Sequence, residues 1–367
     1  TEGVTIQAEF QGTYIDHMNK LIVSAAADVL PDLIHVGDGQ YVQLALAGLL
    51  HPLDDLLAGS DGIDLSTYFK PVERGRWEGT YYQLAYGLST PIFYYNKEAL
   101  EAAGLDGAPE TWSDFYDTYL PALTNDSQAG FSFNPDYWWL QSALWSSGVM
   151  VDDSNLEIDY ANPLIVAWYE KMQEARRNGQ VIYPASADEN AMQMFASLRA
   201  PMVITSTGNI VSVDDLTQGA FTTEVGYLPA GDAGRFTPHG GNGLSISTRA
   251  AEPNRNAAWA FIKYLQEPAN FAEYYIATGY IPLNEATAAE LADVIAADPR
   301  RQIAIDQLEW ARWHIKSHNV SSRTLAATRD AWYEAVQLDI DVQDRFDKLQ
   351  ADAYDILTEE GWEPVLP

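Results

Sequence analysis

Two histidines at helical spacing, His314 and His318, are the first residues whose pattern is compatible with metal binding. Imidazoles four residues apart on a helix can bind zinc from one face. However, no glutamate stands between them in the zinc-protease arrangement, and the sequence offers no evident third ligand. The pattern therefore favours an ordinary helix surface, and we predict no metal site and no cofactor.

A glycine-rich run from His239 to Gly243 is the second candidate for chemistry. It lacks the lysine of a phosphate-binding loop and precedes a predicted strand, so it indicates a backbone that turns sharply or approaches a ligand closely. The 52 acidic residues could include a glycosidase pair. A secreted carbohydrate-active enzyme is therefore the alternative function, and a pure adhesion or scaffold module is a third and weaker interpretation.

Aromatic residues are the most informative side chains. The chain has 11 Trp and 21 Tyr, and Tyr137, Trp138, Trp139 and Trp145 lie close together in sequence. Aromatic faces stack on sugar C–H surfaces or on choline-like cations, while Tyr and Trp edges donate hydrogen bonds. The cluster predicts either a binding surface or the core of a second domain, and the sequence leaves both open.

Composition narrows the class of protein. A length of 367 residues suits two domains, and 52 acidic against 21 basic residues leave a net charge of −31. Nucleic acid is an improbable partner, because binding to the phosphate backbone needs clustered Lys and Arg. The chain has no cysteine, so disulfides and thiolate sites are excluded. No signal peptide is visible, so an exported protein would have lost its targeting segment.

The elements that would position these residues follow an α/β pattern. Apolar residues alternate over 4–10, a helical pattern starts after Thr13, and residues 33–36 are typical of a buried strand. Strand, helix and strand in this order predict a βαβ unit and hence a parallel sheet. Further strands are predicted at 92–95, 201–205 and 244–247.

Three helical patterns are also clear. Asn162 and Pro163 are typical of a helix start, Pro253 begins another helix, and residues 298–361 are expected to be almost entirely helical.

Four segments resemble a known family. Residues 10–14, 89–97, 260–265 and 277–282 are similar to the extracellular solute-binding proteins of family 1, and most similar to its glycerol-3-phosphate and glycerophosphodiester receptors. The similarity runs in order from about Val4 to Glu334. It implies a type II periplasmic-binding-protein fold of the α/β class, with two lobes and the ligand in a cleft between them.

The resemblance also implies lobe boundaries. Lobe one is predicted to comprise 1–95 and 244–297, and lobe two 96–243 and 298–367. Family members usually carry one more strand and helix ahead of the position matched by Val4. Either the numbered chain starts inside the mature protein, or the first lobe is built differently.

The family's ligand contacts map onto this sequence motif by motif. The implied binding residues are Tyr14, Asp38, Ser89, Trp138 with Trp139 as its near alternative, Ser206, Thr207, Gly240, Gly241, Tyr280 and Arg323. Asp38 would accept from ligand hydroxyls, and Arg323 would bind a phosphate. In the competing interpretation, Arg323 pairs with a carboxylate on the final helices.

The resulting functional hypothesis is a receptor without catalytic activity. It would capture glycerol 3-phosphate, a glycerophosphodiester or a sugar and deliver it to the permease subunits of an ABC importer. We expect a monomer in the periplasm, or anchored by a lipid at the outer face of the cell membrane.

Lobe closure on binding is the first testable expectation, with hinges near Tyr95-Asn96 and Gly243-Leu244. Small-angle scattering with and without saturating ligand should show a smaller radius of gyration in the bound state. An unchanged radius at saturation would contradict closure.

Overall fold

A computed structural model describes residues 3–12, 14–37, 39–70, 75–134, 137–149, 156–184, 189–313 and 316–366. The chain forms two compact units: unit 1 consists of residues 1–88 and 240–294, and unit 2 of residues 89–239 and 295–367. The predicted lobe boundaries lie three to seven residues further along the chain. The strand over Pro91–Asn96 pairs within unit 2.

Helices and strands alternate through most of the chain. The α-helices are α1 Tyr14–Ala26, α2 Gln40–Leu46, α3 Asp54–Ala58, α4 Lys97–Ala102, α5 Trp112–Asp114, α6 Leu120–Leu123, α7 Tyr137–Ser146, α8 Pro163–Arg177, α9 Ala191–Ala196, α10 Ile210–Thr217, α11 Glu252–Gln266, α12 Pro268–Thr278, α13 Glu285–Glu290, α14 Ala292–Ala297, α15 Pro299–Asp306, α16 Lys316–Val320, α17 Ser322–Gln337 and α18 Val342–Glu359. The strands are β1 Leu33–Gly37, β2 Arg76–Trp77, β3 Thr80–Tyr81, β4 Leu84–Ser89, β5 Pro91–Asn96, β6 Phe131–Ser132, β7 Val181–Ile182, β8 Met202–Ser206, β9 Thr223–Gly226, β10 Thr237–Pro238, β11 Gly240–Ile246 and β12 Ala311–Arg312.

Unit 1 is organised around a three-stranded sheet in the order β1-β11-β4. β1 and β11 are antiparallel, with Leu33 opposite Ile246 and Gly37 opposite Asn242. Leu244 and Ile246 join Leu84 and helix α11 in the apolar core of the unit. The paired residues of β1 and β11 are more than 200 positions apart in sequence, so the sheet forms only with the tertiary fold.

The first predicted strand differs from expectation. Residues 4–10 are extended, but among the described residues they form no ladder with β1. Residues 4–11 line a groove of about 1010 Å³ together with residues of α1, β1 and α11. Phe10 is 93% exposed. The predicted parallel βαβ unit is therefore wrong in its pairing, although its helix and its second strand are present.

Unit 2 contains a five-stranded mixed sheet in the order β7-β6-β8-β5-β9. β5 lies antiparallel between β8 and β9, whereas β6 is parallel to both β7 and β8. Buried aromatic rings cover this sheet, with Phe93 stacked on Phe131 at 5.9 Å and Trp139 edge-on to Phe131 at 6.0 Å. These rings form the aromatic core of the unit.

Local sequence signals place several helices as predicted. The Asn162 side chain accepts from the Leu164 backbone N–H, and Pro163 occupies the first turn of α8. The helix predicted from Pro253 is α11, and residues 298–361 are mainly helical except for the short strand β12. Among the described residues, no helix is long and apolar enough to cross a membrane.

The predicted histidine surface is not observed. His318 is buried, and its Nε2 lies 3.1 Å from the Tyr160 hydroxyl and 3.2 Å from the Thr328 hydroxyl. His314 lies outside the described residues. The hydroxyl partners make His318 part of a buried polar cluster within unit 2.

Gly243 provides a test of the unit-1 sheet. A Cβ at this position would lie 2.5 Å from the Leu84 carbonyl oxygen and from Gln83 Cγ. We expect Gly243→Ala to lower the free energy of unfolding by about 1–3 kcal/mol, the scale for overpacking. Thermal and urea unfolding would measure it.

Gly59→Ala is the matched control, because its Cβ would sit at an ordinary 3.4 Å from the nearest atom. Its φ of −64° suits alanine, so this change should be neutral or stabilising by about 0.4–1 kcal/mol. Equal stabilities for the two variants would contradict the close packing of β11 on β4.

Candidate functional site

The predicted residues of unit 1 meet where β1 ends. The Tyr14 ring, on the first turn of α1, lies 3.4 Å from where a Cβ on Gly37 would stand. Because Gly37 pairs with Asn242 on β11, the glycines Gly240 and Gly241 that begin this strand lie beside the same end of the sheet. Asp38 follows β1 directly but lies outside the described residues.

Tyr280 joins this group because a glycine ends the preceding helix. Gly279 has φ 101° and caps α12, a conformation that a residue with a Cβ rarely adopts. Its position turns the chain so that Tyr280 stacks on Tyr274 with ring centroids 5.3 Å apart. Asn242 Nδ2 donates to the Tyr280 hydroxyl at 3.2 Å.

Four tyrosines form what we call the tyrosine cluster: Tyr14, Tyr86, Tyr274 and Tyr280. Tyr86 stacks on Tyr274 at 4.2 Å. Burial raises the pKa of the Tyr274 hydroxyl strongly, the neighbouring hydroxyls of Tyr280, Tyr86 and Tyr14 add to the rise, and a hydrogen bond from Asn242 opposes it. The cluster is therefore neutral at physiological pH and offers aromatic faces together with hydroxyl groups.

Gly87 makes room for this arrangement. A Cβ there would lie 2.8 Å from both Asn242 Nδ2 and the Tyr280 ring. Only glycine allows β4 to pass this close to the two side chains.

The predicted hydroxyls of unit 2 also converge. Ser206 ends β8 opposite Pro91, and its Oγ accepts from the Gly208 backbone N–H at 3.1 Å. The Thr207 backbone N–H donates to the Thr90 carbonyl at 2.9 Å. Ser89, which directly precedes Thr90 and Pro91 in sequence, is buried. Thr207 is also buried, and its hydroxyl accepts from the Thr90 N–H. This hydroxyl therefore satisfies a backbone donor.

Trp138 lies at the start of α7 with a half-buried ring. Its indole Nε1 donates to the His239 carbonyl at 3.2 Å. One turn later on the same face of α7, the Ser142 hydroxyl donates to the Phe236 carbonyl at 2.5 Å. These two bonds hold residues 236–239 along α7.

A cation that the sequence analysis did not select lies beside residues 236–239. β12 pairs with β10, which places Arg312 opposite Pro238, and the Arg312 carbonyl accepts from the His239 N–H at 3.0 Å. The exposed Arg312 guanidinium stands over the Phe236 ring at 4.3 Å. We call Trp138, Phe236 and Arg312 the Trp138 surface.

Two predicted contacts lie elsewhere in unit 2. Trp139 is only 2% exposed and packs among Trp112, Phe131 and Trp168, so its ring belongs to the aromatic core and cannot stack on a ligand in this structure. Arg323 lies on α17, 53% exposed, with its guanidinium 2.8 Å from the Glu359 carboxylate. This geometry favours the competing interpretation in which Arg323 pairs with the final helix.

The candidate surfaces of the two units, each taken by itself, include residues that the sequence analysis missed: Tyr86, Tyr274 and Asn242 in unit 1, and Arg312 in unit 2. The signals for two of them were present. Asn242 belongs to the glycine-rich run, and Tyr274 lies about one helical turn before the sequence Thr278-Gly279-Tyr280. Within the described part of the chain, no three His, Asp or Glu side chains come together as a metal site.

Comparison with protein families gives a direct match. The family described as bacterial extracellular solute-binding protein matches residues 1–303. The periplasmic sn-glycerol-3-phosphate-binding protein UgpB of Rhizobium meliloti is 25% identical over 296 residues, which cover 76% of this chain and 67% of that protein. UgpB of Brucella abortus is 25% identical over 323 residues, covering 82% and 72%.

Solved structures agree with the sequence comparison. UgpB from Mycobacterium tuberculosis in complex with glycerophosphocholine superposes with a TM-score of 0.90 at 25% identity, covering 98% of this chain and 92% of that one. The GacH receptor of Streptomyces glaucescens superposes with a TM-score of 0.82 at 19% identity, covering 94% and 88%. The predicted α/β fold of a periplasmic binding protein is confirmed.

The two adjacent tryptophans should respond differently to truncation. Trp139→Ala removes a buried core ring and should lower the free energy of unfolding by about 3–5 kcal/mol. Trp138→Ala should leave stability closer to that of the wild type and weaken ligand binding by about 1–3 kcal/mol, if its ring is desolvated by the ligand.

Urea unfolding and calorimetry on both variants measure these effects. Full ligand affinity in Trp138→Ala, together with a large loss of stability, would make Trp138 a core residue as well.

Proposed function

Because the chain belongs to the bacterial extracellular solute-binding proteins, we propose that its solute is a glycerophosphate ester such as glycerol 3-phosphate or a glycerophosphodiester. The chain is the substrate-binding component of an ABC importer. It functions outside the cytoplasm with transmembrane permease subunits and is a receptor, not an enzyme. The alternative of a carbohydrate-active enzyme is thereby set aside.

One observation supports the phosphate ester above the others. Arg312 presents an exposed guanidinium beside Phe236 on the Trp138 surface. A phosphate in a protein with a net charge of −31 needs a nearby cation, and guanidinium supplies both charge and a two-pronged donor. The flat faces of Trp138 and Phe236 suit the C–H surface of a glycerol chain or a choline-like cation.

Unit 1 supports the same class of ligand through different chemistry. The tyrosine cluster offers stacked phenol rings, whose hydroxyls are the kind of group that binds a polyol or a phosphate oxygen. The relatives point the same way, since UgpB proteins are named for glycerol 3-phosphate and one is solved with glycerophosphocholine.

A neutral oligosaccharide is the second candidate ligand. The GacH receptor, with the same fold, is solved with acarbose, and aromatic surfaces bind sugars. Arg312 favours the phosphate ester, because a neutral sugar has no negative charge for the guanidinium to bind.

We further propose that the receptor acts as a monomer, because a net charge of −31 opposes self-association through repulsion. Location in the periplasm and lipid attachment at the outer face of the membrane are both compatible with its extracytoplasmic role.

The two arginines provide the test. Arg312→Gln should weaken binding of glycerol 3-phosphate and glycerophosphocholine by about 1.5–3 kcal/mol, the value of a hydrogen bond to a charged group. Arg323→Gln is the matched control and should change affinity little, since it breaks only surface ion pairs with Glu359 and Glu360.

Calorimetry with these two ligands and maltotriose measures all three proteins. Tight binding of maltotriose by the wild type, without response to either phosphate ester, would overturn the glycerophosphate assignment while the receptor function stands.

A further inference from the structure

Gln307 is a fully buried side chain of unit 2 that the candidate surfaces do not include. It begins the short 3-10 helix Gln307–Trp310, which directly precedes β12. Its Oε1 accepts from the Leu228 backbone N–H at 2.9 Å. Its Nε2 donates to the Thr90 hydroxyl and to the Pro91 carbonyl, both at 2.7 Å. The amide oxygen and both amide hydrogens therefore have partners.

Two backbone partners fix the orientation of this amide. A backbone N–H only donates and a backbone carbonyl only accepts, so Oε1 faces Leu228 and Nε2 faces Pro91. A flipped amide would set its hydrogens against the Leu228 N–H and its oxygen against the Pro91 carbonyl. Two buried backbone groups would then lose their partners, which is costly.

The amide takes the place of one hydrogen bond between two strands. The ladder between β5 and β9 ends where Phe93 faces Gly226. The same register, continued by two residues, would set Pro91 opposite Leu228. Because proline has no N–H, this pair could share only the bond from the Leu228 N–H to the Pro91 carbonyl. The Gln307 amide is inserted into that bond, so the strands separate here without leaving either group unpaired.

Residues 228–235, which leave the sheet at this point, are held a second time. The Arg235 guanidinium donates to the Leu228 carbonyl. It also lies 5.5 Å from the centre of the Trp310 ring, at the other end of the 3-10 helix that Gln307 begins. The two ends of this loop are therefore attached to the same short helix.

We propose that Gln307 is a positioning residue for solute binding, because it fixes the place at which residues 228–235 leave the sheet and lead to the Trp138 surface. Phe236 directly follows this loop, and Arg312 lies two residues after the 3-10 helix. A displacement at Gln307 would therefore disturb the guanidinium and the ring that it covers at 4.3 Å. The inference rests on the proposed function and adds the residue that holds the phosphate-binding guanidinium in place.

Gln307→Met tests this role, since methionine has a similar length and volume but no amide. The change removes the partner of the Leu228 N–H and of the Pro91 carbonyl, and it should weaken binding of glycerophosphocholine about 10-fold. Gln173→Met is the matched control. Gln173 is also a buried glutamine of unit 2, and its Nε2 donates to three backbone carbonyls, none of them in residues 228–239. Its loss should lower stability but change affinity by less than about 2-fold.

Calorimetry and urea unfolding on both variants separate affinity from stability. A loss of affinity in Gln307→Met alone would support the inference. An equal loss in both variants would overturn it, since affinity would then follow the stability of the unit. Full affinity in Gln307→Met would overturn it as well.

Gln307→Glu provides a second variant of nearly identical shape. An ionised carboxylate accepts from the Leu228 N–H but cannot donate to the Pro91 carbonyl, whereas a protonated carboxyl can do both. Binding of glycerophosphocholine by this variant should therefore recover toward the wild-type value as the pH falls from about 9 to about 5, because burial raises the pKa of a carboxyl. The phosphodiester keeps one negative charge over this range, so the comparison with the wild type reports on residue 307. A weak affinity that stays constant over the whole range would contradict the inference.

Hydrogen exchange of the ligand-free protein tests the positioning without any solute. In Gln307→Met the backbone amides of residues 228–237 should exchange about 10-fold faster than in the wild type, whereas those of α17 should not change. In Gln173→Met the amides of residues 228–237 should keep their wild-type rates. Faster exchange at Leu228 alone would overturn the inference, because the loop would then be held without Gln307. If the wild type binds none of the ligands, the proposed function fails, while these exchange rates still decide the role of Gln307.

Discussion

The antiparallel pairing of β1 with β11 is the constraint on which the unit-1 site depends. It sets Gly37 opposite Asn242, so residues separated by 205 positions in sequence become neighbours. A slip of one residue would turn every side chain of β11 to the other face of the sheet. β11 also packs closely against β4, because neither Gly243, beside Leu84, nor Gly87, beside Asn242 and Tyr280, has room for a Cβ.

Unit 2 positions its residues by a different device. Side-chain donors on one face of α7, Trp138 and Ser142, bind the carbonyls of His239 and Phe236. β10, which belongs to this segment, pairs with β12, and Arg312 thereby lies over the Phe236 ring. These carbonyls would otherwise need water as a partner. Through them, residues 236–239 are attached to α7, a helix that also contributes rings to the aromatic core.

The two units contribute complementary chemistry within one receptor. Unit 1 offers stacked phenols, of which Tyr280 accepts a hydrogen bond from the Asn242 amide. Unit 2 offers a guanidinium and aromatic faces. The chain has a net charge of −31, but salt screens the long-range repulsion of an anionic ligand. A cation in direct contact with the ligand is not screened in this way, so it affects the binding of an anion more than the net charge does.

Local signals in the sequence determined a large part of this structure. The Asn162-Pro163 helix start, the strand at 202–206 and the glycine-rich approach at 240–243 follow from capping, periodicity and backbone freedom, which act within a few residues. Tyr14, Tyr280, Trp138 and Ser206 were predicted through motifs, because the family resemblance marks them individually. The tertiary structure decided what depends on distant partners.

Periodicity predicted an extended segment at 4–10, but not whether it has a neighbouring strand, since a ladder needs a second backbone that only the tertiary fold can supply. Adjacent tryptophans look alike in sequence, yet the helix turns Trp139 into the core and leaves Trp138 half-exposed. Arg312 and Arg323 differ only in which carboxylate or ring the folded chain places beside them. Asn242 donates to the Tyr280 hydroxyl, a contact between residues that only the tertiary fold brings together.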